Sequence, residues 1–275
     1  MQGVELRKKI FYYKGEKIAF LDEGRGPVVV LLHGYLFESG CWHDFIFSLR
    51  NSYRIICPDL PGHGDSGCWA YVHSMDFMAE CVRGLLNEHG IRKCSMFGHS
   101  MGGYVTLAFA EKYPEMVRGY GLLFSTPLPD SEEKKKDRMR AIQFIKKKKS
   151  LYIKETFRNL FQLQEIKYFK EEYDRCLNHA MHISSRGAIA ALRGMMNRPD
   201  REVIIKFSPV PVLMLNGKND ALLPHEILNE IHQRNPHIHF ILEEGLGHMG
   251  FIEYPAFCIQ ALKQFLRKAH HSRIN

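Results

Sequence analysis

Three residues, far apart in the chain, are of the types that could together break an acyl bond. Ser100 lies in Gly98-His99-Ser100-Met101-Gly102, Asp220 ends Gly217-Lys218-Asn219-Asp220, and His248 lies in Gly247-His248-Met249-Gly250. A serine hydroxyl is a weak nucleophile until a base takes its proton. Imidazole is suited to that task, and a carboxylate can fix the imidazole tautomer and stabilise its cation. The G-x-S-x-G spacing suits a sharp strand-to-helix turn, where side chains two positions either side of the serine would clash. Each residue also has a plainer reading: a serine in a glycine turn, an aspartate capping a turn, a histidine in a loop. The order Ser100, Asp220, His248 favours the set, because that order accompanies a serine on such an elbow.

For the three to meet, the chain must carry them to one edge of one sheet. Pro27 to Leu32 (PVVVLL) is a continuous apolar run, as expected of a strand buried on both faces. Further strands are expected over Lys17–Asp22, Tyr53–Cys57, Lys93–Phe97, Val117–Phe124, Val210–Leu215 and Ile238–Leu242. Helical spacing is expected over Trp42–Leu49, Ser74–Asn87 with Gly90 ending it, Val105–Tyr113 stopped by Pro114, His225–Gln233 and Phe257–Lys268. Alternating strands and helices imply an α/β fold with a parallel sheet and helices on both faces. In this pattern Ser100, Asp220 and His248 each follow the C-terminal end of a strand, the edge where open α/β sheets gather ligands.

Residues 130–207 break the alternation. They read as consecutive helices, with Asp130 and Glu133 resembling a capping box and Met139, Ile142 and Ile145 recurring along one face. The domain reading is therefore a core of residues 1–129 and 208–275 with an inserted helical subdomain over 130–207. The chain's net charge of +8 is concentrated there: residues 131–207 hold 19 Lys+Arg against 10 Asp+Glu, leaving the rest near neutral. The lysines and arginines at 134–140 and 146–149 could draw an acidic partner such as a carrier protein, or could simply be a solvated helix face. No nucleic-acid reader motif accompanies them.

Composition narrows the class. With 275 residues and 45% hydrophobic content the chain can bury a full core. The seven cysteines are odd in number, scattered and without CxxC spacing, as expected of free thiols in a reducing compartment. The opening MQGVELRKKIFYYKGEK has no apolar signal core, and no run approaches a membrane span. The expectation is a soluble, cytoplasmic protein.

An acyl-transfer site also needs donors for a developing oxyanion. The backbone N–H of Met101, just after the serine, is one candidate. The N–H of Tyr35, in the loop after PVVVLLHG, is the other, with Leu36 as its alternative. His33, His63 and His99 read as structural, Glu253 as a residue fixing the His248 loop. His237 and His239 lack partners for a metal set, so no metal is expected. Phe144, Phe157, Phe161, Met181, Met195 and Met196 could line an acyl pocket or only pack helix on helix.

The stretches GPVVVLLHG with Trp42 downstream, DLPGHGDS, GHSMGG, PVLMLNGKND and GLGHMGFIEYP resemble the α/β-hydrolase fold superfamily over nearly the full length, and within it the serine esterase and carboxylesterase branch. The resemblance implies an eight-stranded, mostly parallel sheet, a helical cap over the site, and acyl-enzyme chemistry without metal or organic cofactor. Serine at position 100 argues against the aspartate-nucleophile dehalogenases and epoxide hydrolases of that superfamily. The expected function is hydrolysis of a carboxylic ester. Cleavage of a C–C bond or an enol-lactone by the same triad is the alternative, and a non-catalytic sensing role is a third class.

Overall fold

The computed structural model describes residues 6–271. Eight strands form one sheet in the order β1-β2-β4-β3-β5-β6-β7-β8. They are β1 (Lys9–Tyr13), β2 (Glu16–Gly24), β3 (Val28–Leu32), β4 (Arg54–Pro58), β5 (Cys94–His99), β6 (Val117–Leu123), β7 (Val212–Gly217) and β8 (His239–Glu243). Pairing is antiparallel from β1 to β2 and from β2 to β4, and parallel across the rest. The central strands carry no alternation because both faces are covered: all six residues of β5 and all six of β7 are buried.

The core helices are α1 (His43–Leu49), α2 (Met75–Glu88), α3 (Met101–Lys112), α8 (His225–Arg234), α9 (Gly250–Glu253) and α10 (Pro255–His271). α3 packs on β5 and β6 and carries α2 beside it, while α10 lies on β6 with α1 and α9 against it. Phe97 of β5 meets Phe265 of α10 edge-to-face at 5.6 Å. α2 starts at Ser74, whose hydroxyl accepts from the Phe77 N–H, and it is followed by Gly90 at φ +66°.

Between β6 and β7 the chain forms α4 (Glu132–Leu160), a 3₁₀ turn (Leu163–Tyr168), α5 (Lys170–His182), α6 (Ser185–Met196) and α7 (Glu202–Lys206), without a strand. α4 packs on both α5 and α6, whereas α7 packs on α3 of the core. The Tyr120 hydroxyl of β6 donates to the Ile204 carbonyl at 3.0 Å. α4 is interrupted at Lys148, whose φ of −146° and ψ of 59° are non-helical.

Several local expectations differ. β1 was not anticipated; it joins β2 through Lys14 and Gly15, both at positive φ (49° and 86°), the two-residue hairpin turn with both central residues left-handed. The cap of α4 is Ser131, not Asp130: the Ser131 hydroxyl accepts from the Lys134 N–H at 3.2 Å. Asp130 is engaged instead by Arg138 and Arg198, a stronger claim on a buried carboxylate than a helix N–H. Met139 is 49% exposed, while Ile142 and Ile145 are buried, because a three-residue spacing drifts off a 3.6-residue face. Among the described residues no helix is long and apolar enough to cross a membrane.

Candidate active site

Ser100 stands between the end of β5 and the start of α3 with φ +50° and ψ −114°, a conformation L-residues rarely adopt. The turn is pinned on both sides. The Ser100 N–H donates to the Leu123 carbonyl at 3.0 Å, and its own carbonyl accepts from the Ser125 hydroxyl at 2.8 Å. The flanking glycines are sterically required. A Cβ on Gly98 would sit 2.0 Å from the Gly102 carbonyl oxygen, and one on Gly102 would sit 2.2 Å from that of Leu32. Met101 is the first residue of α3, where an N–H has no intrahelical acceptor. Tyr35 lies in the turn after β3, next to Leu36 at φ +67°. Among the described residues neither the Tyr35 nor the Met101 N–H donates to another group.

His248 and Asp220 meet across the loops after β8 and β7. The His248 Nδ1–H donates to Asp220 Oδ2 at 2.7 Å, and both side chains are buried. Asp220 Oδ1 accepts from the Leu222 N–H at 2.8 Å, so both carboxylate oxygens are held. This geometry leaves Nε2 as the free, basic nitrogen of the imidazole. His99 supports the loop from below: its Nε2–H donates to the His248 carbonyl at 3.0 Å. Burial, reinforced by the neighbouring His248, holds the His99 imidazole well below its ordinary pKa, so it is neutral. Among the described residues its buried Nδ1 has no hydrogen-bond partner, and a Cβ at Gly34 would lie 2.5 Å from it.

Ser100 and His248 line one cavity of about 640 Å³ together with Tyr35 and Phe37. Its far walls come from α4 (Lys134, Arg138, Tyr152), from α6 and the turn beyond it (Leu192, Met195, Arg198), and from the chain around α8 (Leu222, Leu223, Ile227). A second cavity of about 330 Å³ reaches His248 from the side of Gln162, Asn219 and Gly247. Asn159 and Leu160 at the end of α4 line both cavities, and just beyond them Glu253 Oε1 accepts from the Gln162 N–H at 2.7 Å. Glu253 thus clamps the inserted helices to α9; burial raises its pKa.

Other expected residues lie in structural positions. His33 Nδ1 donates to the Gly34 carbonyl, and its Nε2 accepts from the Leu60 N–H at 2.9 Å. His63 is buried against His33 and Tyr35 rings and donates to the Pro61 carbonyl. His237 binds the Ile205 carbonyl. Of the six cap residues considered, Met195 lines the larger cavity and Phe161 the smaller. Phe157 is core, stacked on Phe37 at 5.2 Å and on Phe161 at 5.8 Å. The sequence reading missed Tyr104, Tyr152, Arg138 and Arg198 as cavity residues. An arginine four residues after Lys134 on one helix was a readable signal that both share a face.

Residues 29–261 match the Alpha/beta hydrolase family. The pimeloyl-[acyl-carrier protein] methyl ester esterase of Aeromonas hydrophila subsp. hydrophila is 26% identical over 249 residues, spanning 88% of this chain and 96% of its own. A solved thermophilic esterase from Thermogutta terrifontis, with malate bound, is 30% identical with a TM-score of 0.88, over 97% of this chain and 100% of that one. The enol-lactonase from Burkholderia xenovorans LB400 shares the fold at a TM-score of 0.86 and 17% identity, over 94% of this chain and 100% of that one. With a match that begins inside β3 and ends inside α10, the chain belongs to the Alpha/beta hydrolase family.

Proposed function

We propose that this protein is a serine hydrolase that cleaves a carboxylic ester through an acyl-enzyme intermediate. The observation that carries the reading is a serine held at φ +50° on a strand-to-helix elbow, sharing a cavity with a histidine whose Nδ1 is bound to a buried aspartate. The esterases among its relatives support the choice of bond.

In this mechanism His248 Nε2 takes the Ser100 proton as Oγ attacks the ester carbonyl. Asp220 keeps the proton on Nδ1 and stabilises the imidazolium. The N–H groups of Tyr35 and Met101 hold the oxyanion. Collapse of the tetrahedral intermediate breaks the bond to the alcohol oxygen, which leaves with the proton from Nε2. Water then attacks the acyl-enzyme, giving its proton to His248, and the carboxylic acid departs as Ser100 recovers its proton. No cofactor or metal is assigned a role. The helices of residues 130–207 act as a cap that walls the cavity opposite Ser100. Seven unpaired cysteines support a cytoplasmic location.

A carrier-linked ester is one candidate substrate, supported by the printed activity of the Aeromonas relative. Much of the basic charge on the cap is already engaged. Lys149 donates to the Met181 and Ile183 carbonyls, and Lys135 pairs with Glu132. Lys136, Lys146, Lys147 and Lys148 remain exposed for an acidic partner.

The test is hydrolysis of p-nitrophenyl esters of increasing acyl length by the protein and its Ser100→Ala variant. The expected outcome is turnover in the parent and a loss of at least about 10³-fold in the variant. Equal turnover in both would remove Ser100 from the mechanism, and absence of turnover on every ester would remove the ester reading.

A further inference from the structure

The wall of the larger cavity opposite Ser100 holds more positive than negative buried charge. Asp130 and Arg198 are almost fully buried, with side-chain exposures of 2% and 5%, and Arg138 is 13% exposed. Arg138 gives Nε and Nη2 to Asp130, and Arg198 Nη1 bonds the same carboxylate at 2.7 Å. Arg198 Nε is spent on the Leu128 carbonyl, and its guanidinium lies 3.8 Å over the Tyr104 ring. One carboxylate therefore serves two guanidinium groups. Lys134, one turn before Arg138 on α4, is half-buried on the same wall; among the described residues its ammonium makes no hydrogen bond or close ion pair, and it only feels the more distant charges of Asp130, Asp137 and Asp220. Burial, with Arg138 adding to it, lowers the Lys134 pKa, even though the charges of those three aspartates act in the opposite direction. The other carboxylates lining this wall, Glu133 and Asp137, are exposed, and Asp137 is paired with Arg140. Among the described residues Arg138 Nη1 also donates to no protein group.

Cations withdrawn from water without a counter-charge are costly. A cavity that holds such an excess and also opens onto Ser100 is built to receive an anion with its substrate. We infer that Lys134 and Arg138 form a carboxylate subsite, so that the substrate is an ester carrying a free carboxylate, such as the half-ester of a dicarboxylic acid. This deepens the ester-hydrolase reading and rests on it for the reacting bond. The planar edge of Arg138 and the ammonium of Lys134 together match one monoanionic carboxylate. Asp130 and Arg198 hold Arg138 in place and position it.

The experiment compares the monomethyl and dimethyl esters of succinic, glutaric and adipic acids by proton release at constant pH, in the parent, Lys134→Gln and Lys154→Gln. Lys154 is an exposed lysine of α4 outside both cavities. The readout is the ratio of kcat/KM, half-ester over diester. The expected ratio in the parent is about tenfold or more for the best chain length, falling about tenfold in Lys134→Gln and staying put in Lys154→Gln. Lys134→Met replaces the first variant if that one does not fold. A parent that treats the two esters alike overturns the subsite, as does an equal fall in both variants, which would assign the effect to the diffuse field of the cap. If no ester is cleaved, the hydrolase reading fails by itself, and the subsite is then judged by calorimetric titration with glutarate. Binding weakened about tenfold in Lys134→Gln supports it. Binding that is absent, or indifferent to the substitution, overturns it.

Discussion

Ser100 is held left-handed by hydrogen bonds to Leu123 and Ser125, and the glycines beside it have no room for a methyl group. Space, more than backbone freedom, sets the cost of changing them. Gly102→Ala would drive a Cβ into the Leu32 carbonyl, and α3 would have to lift from β3. The expected result is a fall in Tm on the order of 5–10 °C, followed by circular dichroism. Gly90→Ala is the contrast: nothing lies within 4 Å of its Cβ, so only the positive φ is penalised, and the fall should be no more than about a third as large. A Gly102→Ala variant with unchanged Tm would show that the elbow relaxes freely. At this scale the sequence was informative. The elbow spacing marked Ser100, and the glycine-flanked strand ends marked Asp220 and His248. What it could not mark is the partnership of Asp130 with Arg138 and Arg198, because a buried ion cluster depends on how helices far apart in sequence come to lie. The short-range Asp130–Glu133 pattern suggested a cap instead.

Between elements, the inserted helices are tied to the loop that carries Tyr35 by one titrating contact. His179 of α5 bonds Glu38 at 2.8 Å, and Glu38 also receives Lys8 at 2.6 Å. The hydrogen bond to Glu38 raises the His179 pKa above its ordinary value near 6.5. Although burial works against ionisation of Glu38, its contacts with His179 and Lys8 hold its pKa below the usual range. A raised histidine contributes stability that is fully present below about pH 6.5 and is lost as pH rises through the folded value. A lowered carboxylate contributes stability lost as pH falls through its own folded value. The contact is thus strongest in mildly acid solution. Because His179 is 44% exposed, solvent screens it and the effect is small. His179→Gln should lower Tm by about 1–2 °C at pH 6 and by nearly nothing at pH 9; a gap that widens with pH would reverse the assignment. Strands and core helices were legible because apolar periodicity is local. β1 escaped because a partly exposed edge strand carries little of it: Lys9, Ile10 and Tyr12 face solvent.

At the scale of the whole molecule, the net charge of +8 is borne by the helical segment between β6 and β7. If those lysines recruit an acidic carrier, kcat/KM on a carrier-linked ester should fall steeply between about 50 and 300 mM salt, while that on a neutral p-nitrophenyl ester changes by less than about twofold. Parallel salt responses would leave the basic face merely solvated. The same segment has another property. It leaves the sheet at β6 and returns at β7, and those two strands are hydrogen-bonded neighbours, with Tyr120 opposite Val212 and Leu123 opposite Leu215. In this parallel pair the segment leaves Leu123 at one edge of the sheet and returns to Val212 at the other, so it must make a crossover, but the span is only a few residues of strand, and closing a loop across it costs only slightly more when the loop is longer. The chamber can then be exchanged as a cassette. Descendants of such a chain could trade, shorten or extend these helices, and so change diet, while the register beneath Ser100, Asp220 and His248 is inherited intact.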